Sequence, residues 1–295
     1  MELRHVKGDT YCLEANELIP LYRLPGDRCI LLDSGYAYER EALCAALDRW
    51  GLTPVGVFGS HAHRDHAGNN FYLRQRYGAQ VCLPRGEAAI CTSLLLYKSV
   101  YDTHTPKALE QSYQELVGEV DRAVLPGEDR VEFCGVPLEV IHTPGHTPDH
   151  ICTVTPDGVC YVGDALLSGQ VLETSSLPYH YVFSEAFRSM EKLARTSFGA
   201  YIVAHKSVET DIAPVAAANR ANIQGCMEEF RALADRPLTS CELAQRILEA
   251  RKLLTSHENK AALYARGIRT IVEHMVDAGM LGVTTSQGMR YYQGK

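Results

Sequence analysis

Residues 60–69 read SHAHRDHAGN, which puts three histidines and an aspartate within positions 61–66. The run follows VGVFGS (55–60), a short apolar stretch of strand character. Residues two apart in an extended chain point the same way, so His61 and His63 face one spot. Asp65 and His66 come where the chain must turn into a helix, so they face a neighbouring spot. One loop can thereby hold two metal ions side by side. A solvated polar loop is the alternative, and donors elsewhere in the chain decide between them.

On either side of this loop the pattern alternates between strand and helix. TYCLEAN and IPLYRL pair ahead of a Pro25-Gly26 turn, and RCILLDSG then carries the apolar run 29–32 into Asp33 and Gly35. Residues 38–50 have helical spacing at Leu43, Ala46, Leu47 and Trp50, with Gly51 as the stop. A helix is expected at 69–77, a strand at 79–84, and helix across 86–120 with Tyr97, Tyr101 and Tyr113 as packing residues. RVEFCG, VPLEVIHT, ICTVTPDG, VCYVGD and YIVAH (201–205) read as strands, with a hairpin at Pro156-Asp157-Gly158. The alternation predicts a layered α/β fold.

Three of these strands end on further donors. HTPGHTPDH (142–150) offers His146 in a Pro-Gly turn, VCYVGD offers Asp164, and YIVAH offers His205. Strand ends gather along one edge of a layered α/β protein, where sites are built. Ionisable groups gathered there without a metal would be unpaired at a cost of several kcal/mol.

The chain resembles the metallo-β-lactamase-fold hydrolase superfamily, and its glyoxalase II and lactonase branch in particular. The resemblance rests on HxHxDH at 61–66, TPGH at 143–146, GD at 163–164 and a strand-ending His205, and it covers roughly residues 1–210. It implies an αββα sandwich with a dinuclear centre. His61, His63 and His146 would hold one metal, Asp65, His66 and His205 the other, and Asp164 would bridge them. Asp33 matches an aspartate that orients ligand histidines from behind. The nitrogen and carboxylate donors suit two zinc ions and also admit iron or manganese.

Two such ions, about 3.5–4 Å apart, can bring a shared water to hydroxide near neutral pH. Asp65 and Asp164 are then the catalytic carboxylates. The resemblance at Asp164 is to the glyoxalase II, lactonase and nuclease branches and not to the true β-lactamases, which implies that β-lactam hydrolysis is disfavoured and that a thioester, ester or lactone substrate leads. A phosphodiesterase or nuclease is the alternative within hydrolysis, and redox chemistry at iron a third reading. The resemblance departs at Asp149 and Lys206, where glycine is common; Lys206 reads as a surface lysine. His142 and His150 read as supports of the ligand turn. Tyr179, His180 and Tyr181 are substrate-side candidates because family loops after the bridging aspartate line the cleft.

After about residue 210 the texture changes. APVAAANRANIQGCMEEFRALA reads as a long helix, Thr239 with Glu242 as a capping box, and Ile268, Ile271, Val272, Met275 and Val276 as a helical stripe before a terminal hairpin. Residues 211–295 are therefore expected to form a small helical, winged-helix-like domain on a 1–210 catalytic domain. A metal-containing DNA-binding regulator acting through this domain is the alternative outside hydrolysis, but its eleven Lys/Arg against nine Asp/Glu, a net of +2, are too little for a phosphate-binding face. A homodimer contact is a further option for this domain. The net charge of −7 over 295 residues also argues against nucleic-acid or anionic-membrane binding. The absence of a basic-then-apolar start and of a spanning apolar run, with ten cysteines and no CxxC, leads to the expectation of a cytoplasmic protein with reduced thiols and a small-molecule substrate.

Overall fold

The computed structural model describes residues 1–101 and 103–295. The first sheet runs in the order β1 (Leu3–Lys7), β2 (Thr10–Glu14), β3 (Leu18–Leu24), β4 (Arg28–Leu32), β5 (Thr53–Phe58), β6 (Gln80–Pro84) and β7 (Arg122–Val124). Its first four strands are antiparallel and the last four, β4 to β7, parallel. Connection length sets this change. Gly26 and Asp27 both take positive φ, 75° and 58°, in the tight turn that returns β3 into β4. Parallel neighbours need longer crossovers, and helices supply them.

The second sheet has the order β13 (Ser207–Glu209), β12 (Ala200–Val203), β11 (Val159–Gly163), β10 (Ile151–Val154), β9 (Val136–His142) and β8 (Arg130–Phe133). The expected hairpin at 156–158 joins β10 to β11, with Gly158 at φ 72°. The two sheets face each other. Ile30, Leu32, Phe58 and Cys82 of the first meet Leu138, Val140, Ile151, Tyr161 and Ile202 of the second in one buried cluster. Each fully buried side chain of this kind contributes about 1.5–3 kcal/mol.

Helices cover both outer faces, so the chain is the expected αββα sandwich. The first sheet is covered in part by α1 (Arg40–Arg49), whose Leu43, Ala46 and Leu47 meet Leu21, Leu31 and Val57. A four-residue α2 (Arg64–Ala67) follows the histidine loop, and α3 (Asn70–Tyr77) ends at Gly78, φ 69°. The helix expected across 86–120 is instead α4 (Arg85–Ile90), α5 (Leu94–Val100), α6 (Pro106–Ser112) and a 3-10 turn, Gln114–Leu116. Two capping residues divide it. Ser93 Oγ accepts from Leu95 N, and Thr105 Oγ1 accepts from Ala108 N ahead of Pro106, which cannot continue a helix. Asp102, inside that expected helix, lies outside the described residues. Tyr97, Tyr101 and Tyr113 do pack into one core here.

The second sheet is covered by α7 (Gly169–Thr174), α8 (Phe183–Ala194) and α9 (Ala213–Leu233), then α10 (Ser240–Ala250) and α11 (Glu258–Asp277). A small sheet of β14 (Leu238–Thr239), β16 (Met289–Gly294) and β15 (Leu281–Ser286) completes the C-terminal unit. The chain order of helix, strand, helix, helix, strand, strand gives the expected winged-helix-like arrangement, with the Thr239–Glu242 capping box in place. Met227, Phe230, Ile247, Ile271 and Met275 of this unit are buried in the same cluster as Val162, Tyr201 and Met190. The unit therefore shares its core with the outer face of the sandwich. Among the described residues no helix is long and apolar enough to cross a membrane.

Candidate metal centre

Five strands of the two sheets end at one edge, and each delivers a donor just past its last residue. Asp33 follows β4, His61 and His63 follow β5, His146 lies in the turn between β9 and β10, Asp164 follows β11, and His205 follows β12. Two glycines make this convergence possible. Gly145, at φ 138°, lets the His146 turn lie on α8, where a Cβ would come within 2.4 Å of Ala186 N. Gly163, at φ 50°, lets β11 pass His150, where a Cβ would stand 2.7 Å from Nε2.

The seven donors form two clusters that share Asp164. His61, His63, His146 and Asp164 place one donor atom each within 4.8 Å of one another, as do Asp65, His66, Asp164 and His205. Nε2 of His61 lies 3.1 Å from Nδ1 of His63, which is 2.9 Å from Nε2 of His146. Asp164 Oδ2 is 3.2 Å from His146 Nε2, and its Oδ1 is 3.1 Å from both His66 Nε2 and His205 Nε2. Asp65 Oδ2 stands 3.7 Å from His66 Nε2.

Hydrogen bonds behind the rings fix which nitrogen carries the proton. Ser60 Oγ donates its proton to Asp33 Oδ2 at 2.6 Å, so at 2.9 Å it accepts from His61 Nδ1. His66 Nδ1 donates to Asp33 Oδ2 at 2.8 Å, and Tyr161 OH donates to the same oxygen at 2.7 Å. His205 Nδ1 donates to Glu17 Oε2 at 2.6 Å, and His146 Nδ1 to the Tyr179 carbonyl at 3.3 Å. Each of these four rings, when neutral, therefore turns a lone pair inward. Those lone pairs meet one another and the oxygens of Asp164, so acceptor faces acceptor. A cation in each cluster resolves that conflict, and the donor set fits divalent metals.

Without a cation, the chain answers part of that conflict with protons on two of the rings. Burial pushes the His61, His63 and His146 rings well below the usual histidine range, and neighbouring rings add to it. Burial opposes a proton on His66 and His205 too, but the Asp164 carboxylate outweighs it, holding His66 well up and His205 at about 10. Burial likewise opposes the charge of Asp164, yet His66, His205 and His146 keep it well below the usual carboxylate range. Asp164 thus demands positive charge from every side.

Several supports escape a reading of the sequence. Glu87 on α4 is buried; its Oε2 accepts from Ala62 N at 3.0 Å, and its Oε1 accepts from Thr147 Oγ1 at 2.6 Å and Asp149 N at 3.3 Å. One carboxylate thereby ties the His61–His63 loop to the His146 loop. Tyr97 OH donates to the Ala62 carbonyl at 3.2 Å. Asn219 of α9 holds the loop after Asp164 through the N–H and carbonyl of Leu167. Ser60, Glu17, Glu87 and Asn219 carry no motif, since their partners are distant in sequence.

The remaining expected residues divide. His150 supports the site, with Nε2 accepting from Asp164 N at 3.1 Å. His142, the last residue of β9, does not join it: its ring faces the Glu128 carbonyl at 3.3 Å. Tyr179 lines a cavity of about 290 Å³ shared with His63, Asp65, His146 and Asp164. His180 is buried beside His146 and lines a smaller, more apolar cavity of about 120 Å³. Tyr181 is 39% exposed, and it is its backbone N–H that reaches His146. Lys206 is exposed beside His205 at φ 73°, a conformation that explains why glycine suits this position.

A cluster of histidines and carboxylates at one edge of an αββα sandwich defines a class of metal-binding α/β proteins. The chain belongs to the metallo-beta-lactamase superfamily, whose family model matches residues 21–205. Among curated relatives it is 30% identical to the hydroxyacylglutathione hydrolase of Rhizobium meliloti (strain 1021), over 45% of this chain and 41% of the relative. The hydroxyacylglutathione hydrolase of Pseudomonas aeruginosa (strain LESB58) is 29% identical, over 52% and 50%. The matches thus span about half the length of these relatives. A beta-lactamase domain protein from Burkholderia ambifaria matches 100% of this chain and 94% of its own, at TM-score 0.74 and 16% identity. A metallo-beta-lactamase family protein from Thermus thermophilus matches 95% and 94%, at TM-score 0.69 and 21% identity. At such identities these two structures speak for the fold alone, and that likeness runs through the C-terminal unit.

Proposed function

We propose that this chain is a metal-dependent hydrolase that uses two divalent ions, zinc first, to cleave a thioester, ester or lactone of a small molecule. The observation that carries the reading is Asp164, whose Oδ2 stands 3.2 Å from His146 Nε2 on one side and whose Oδ1 stands 3.1 Å from both His66 Nε2 and His205 Nε2 on the other. Bound ions supply an acidified water and an electrophile for the substrate oxygen. His61, His63 and His146 would hold one, and Asp65, His66 and His205 the other, with Asp164 between them. The chain's own contribution is orientation and proton handling. Asp65 faces the 290 Å³ cavity and can hold a proton of the attacking water on its carboxylate. Asp33, Glu17 and Ser60 fix the rings so that no reorganisation is needed when charge develops.

Thioesters lead because the curated relatives are hydroxyacylglutathione hydrolases by name. The ten cysteines, all free and eight of them buried, favour a reducing compartment such as the cytoplasm. The shared core supports reading residues 211–295 as a completion of the cleft rather than a nucleic-acid reader. α11, where a winged-helix unit keeps its groove-reading helix, is occupied against the sandwich. The test is metal analysis of purified protein together with turnover of thioester, ester, lactone and phosphodiester panels. Asp164→Ala and His61→Ala are expected to lose at least one ion each and all hydrolysis. Full metal content or wild-type activity in either overturns the proposal.

A further inference from the structure

α11 places Arg266 in the wall of the cavity that holds the metal cluster. The residue is 6% exposed. Its guanidinium lies over the rings of Tyr179, at 4.3 Å, and Tyr101, at 4.9 Å. One terminal nitrogen, Nη1, donates to the Val100 carbonyl at 3.2 Å, while Nε is buried with no hydrogen-bond partner among the described residues. Burying a fixed cation with an open donor is unfavourable unless a partner arrives. Arg64 and His104 line the same cavity, and its carboxylates, Asp65 and Asp164, belong to the metal cluster. Among the described residues lining the cavity, Arg64 and Arg266 are the fixed cations, and Tyr36, Tyr101, Tyr113 and Tyr179 supply aromatic rings.

We propose that Arg266 is an anion subsite, taking a carboxylate carried by the substrate at a point remote from the bond that is cleaved. Two tyrosine rings pack against the guanidinium carbon, at 4.3 and 4.9 Å, and the nitrogens they do not engage remain to meet a ligand. Two coplanar carboxylate oxygens match a guanidinium edge. The inference deepens the proposed hydrolase function and rests on it for the word substrate, but not for the binding itself. The subsite makes the C-terminal unit the part of the chain that chooses among esters.

The test uses binding without turnover. Metal-loaded protein is titrated with succinate, glutarate and adipate, and with the monoamide of each, in which one carboxylate is neutral. Wild type is expected to bind at least one dianion roughly tenfold tighter than its monoamide. Arg266→Gln is expected to erase that preference with metal content unchanged, and Arg266→Lys, which keeps charge but not the planar fork, to retain part of it. A general packing defect would weaken both members of a pair alike. No preference in wild type, or an unchanged preference in Arg266→Gln, overturns the subsite. Should Arg266→Gln fail to fold, wild type and Arg266→Lys still decide: equal ratios in those two remove the fork from the account. A subsite found in a protein that hydrolyses no ester would leave the inference standing and the hydrolase reading fallen.

Discussion

Glu87 shows how a single side chain can hold a metal centre without touching a metal. Its carboxylate accepts from three donors on two ligand loops. Glu87→Ala would strand those donors, at about 1–3 kcal/mol for each that water cannot reach. Glu87→Gln is no rescue, because one amide face must oppose a donor with a donor. Both variants are expected to lower the melting temperature and to weaken metal binding about 10–100-fold in a chelator competition. Wild-type affinity in both would remove Glu87 from the scaffold. Six of the seven donors were legible because ligand spacing is a local property, written as HAHRDH, TPGH and GD, and His205 because it ends an apolar strand. Ser60, Glu17 and Glu87 were not, because each acts through partners that only the folded chain brings near. His142 was misplaced for the same reason: adjacency to a ligand turn says nothing about which side of it a ring takes.

Elements carry the titration of the molecule, since they decide which rings are buried and beside what. Burial pushes His150, behind β11, and His180, in the loop before α8, down to about 4. Unfolded, both rise to about 6.5. The unfolded chain then binds more protons between those values, so this stability is complete above about pH 6.5 and is lost as pH falls towards 4. His205 has the opposite sign in metal-free protein. It is raised to about 10 against the burial that opposes it, so its contribution is complete below about 6.5 and is lost as pH rises through 10. Urea unfolding of chelator-treated protein is expected to give a bell-shaped pH profile, and metal loading to remove the alkaline limb. A monotonic metal-free profile would contradict the assignment. At this scale the α/β alternation was readable from period and turn residues, and so was the α10 cap. The break-up of 86–120 was not, because Ser93 and Thr105 act as caps only once their backbone partners have formed.

On the scale of the whole molecule, the sandwich and the C-terminal unit share one apolar cluster. Sequence texture changes near residue 210, but shared burial does not show in texture, which reports local pattern rather than partners. Removing 211–295 would expose Val162, Tyr201 and Met190, which now pack with Met227, Phe230 and Met275. A 1–210 fragment is expected to bind a hydrophobic dye strongly, to aggregate, and to lack a cooperative thermal transition; a soluble, cooperatively melting fragment would mean the two parts stand independently. The same helix that seals the outer face also brings Arg266 into the cleft. A descendant of this chain could then not trade one diet for another by swapping its tail wholesale, since each change of taste would also be a change in the keel.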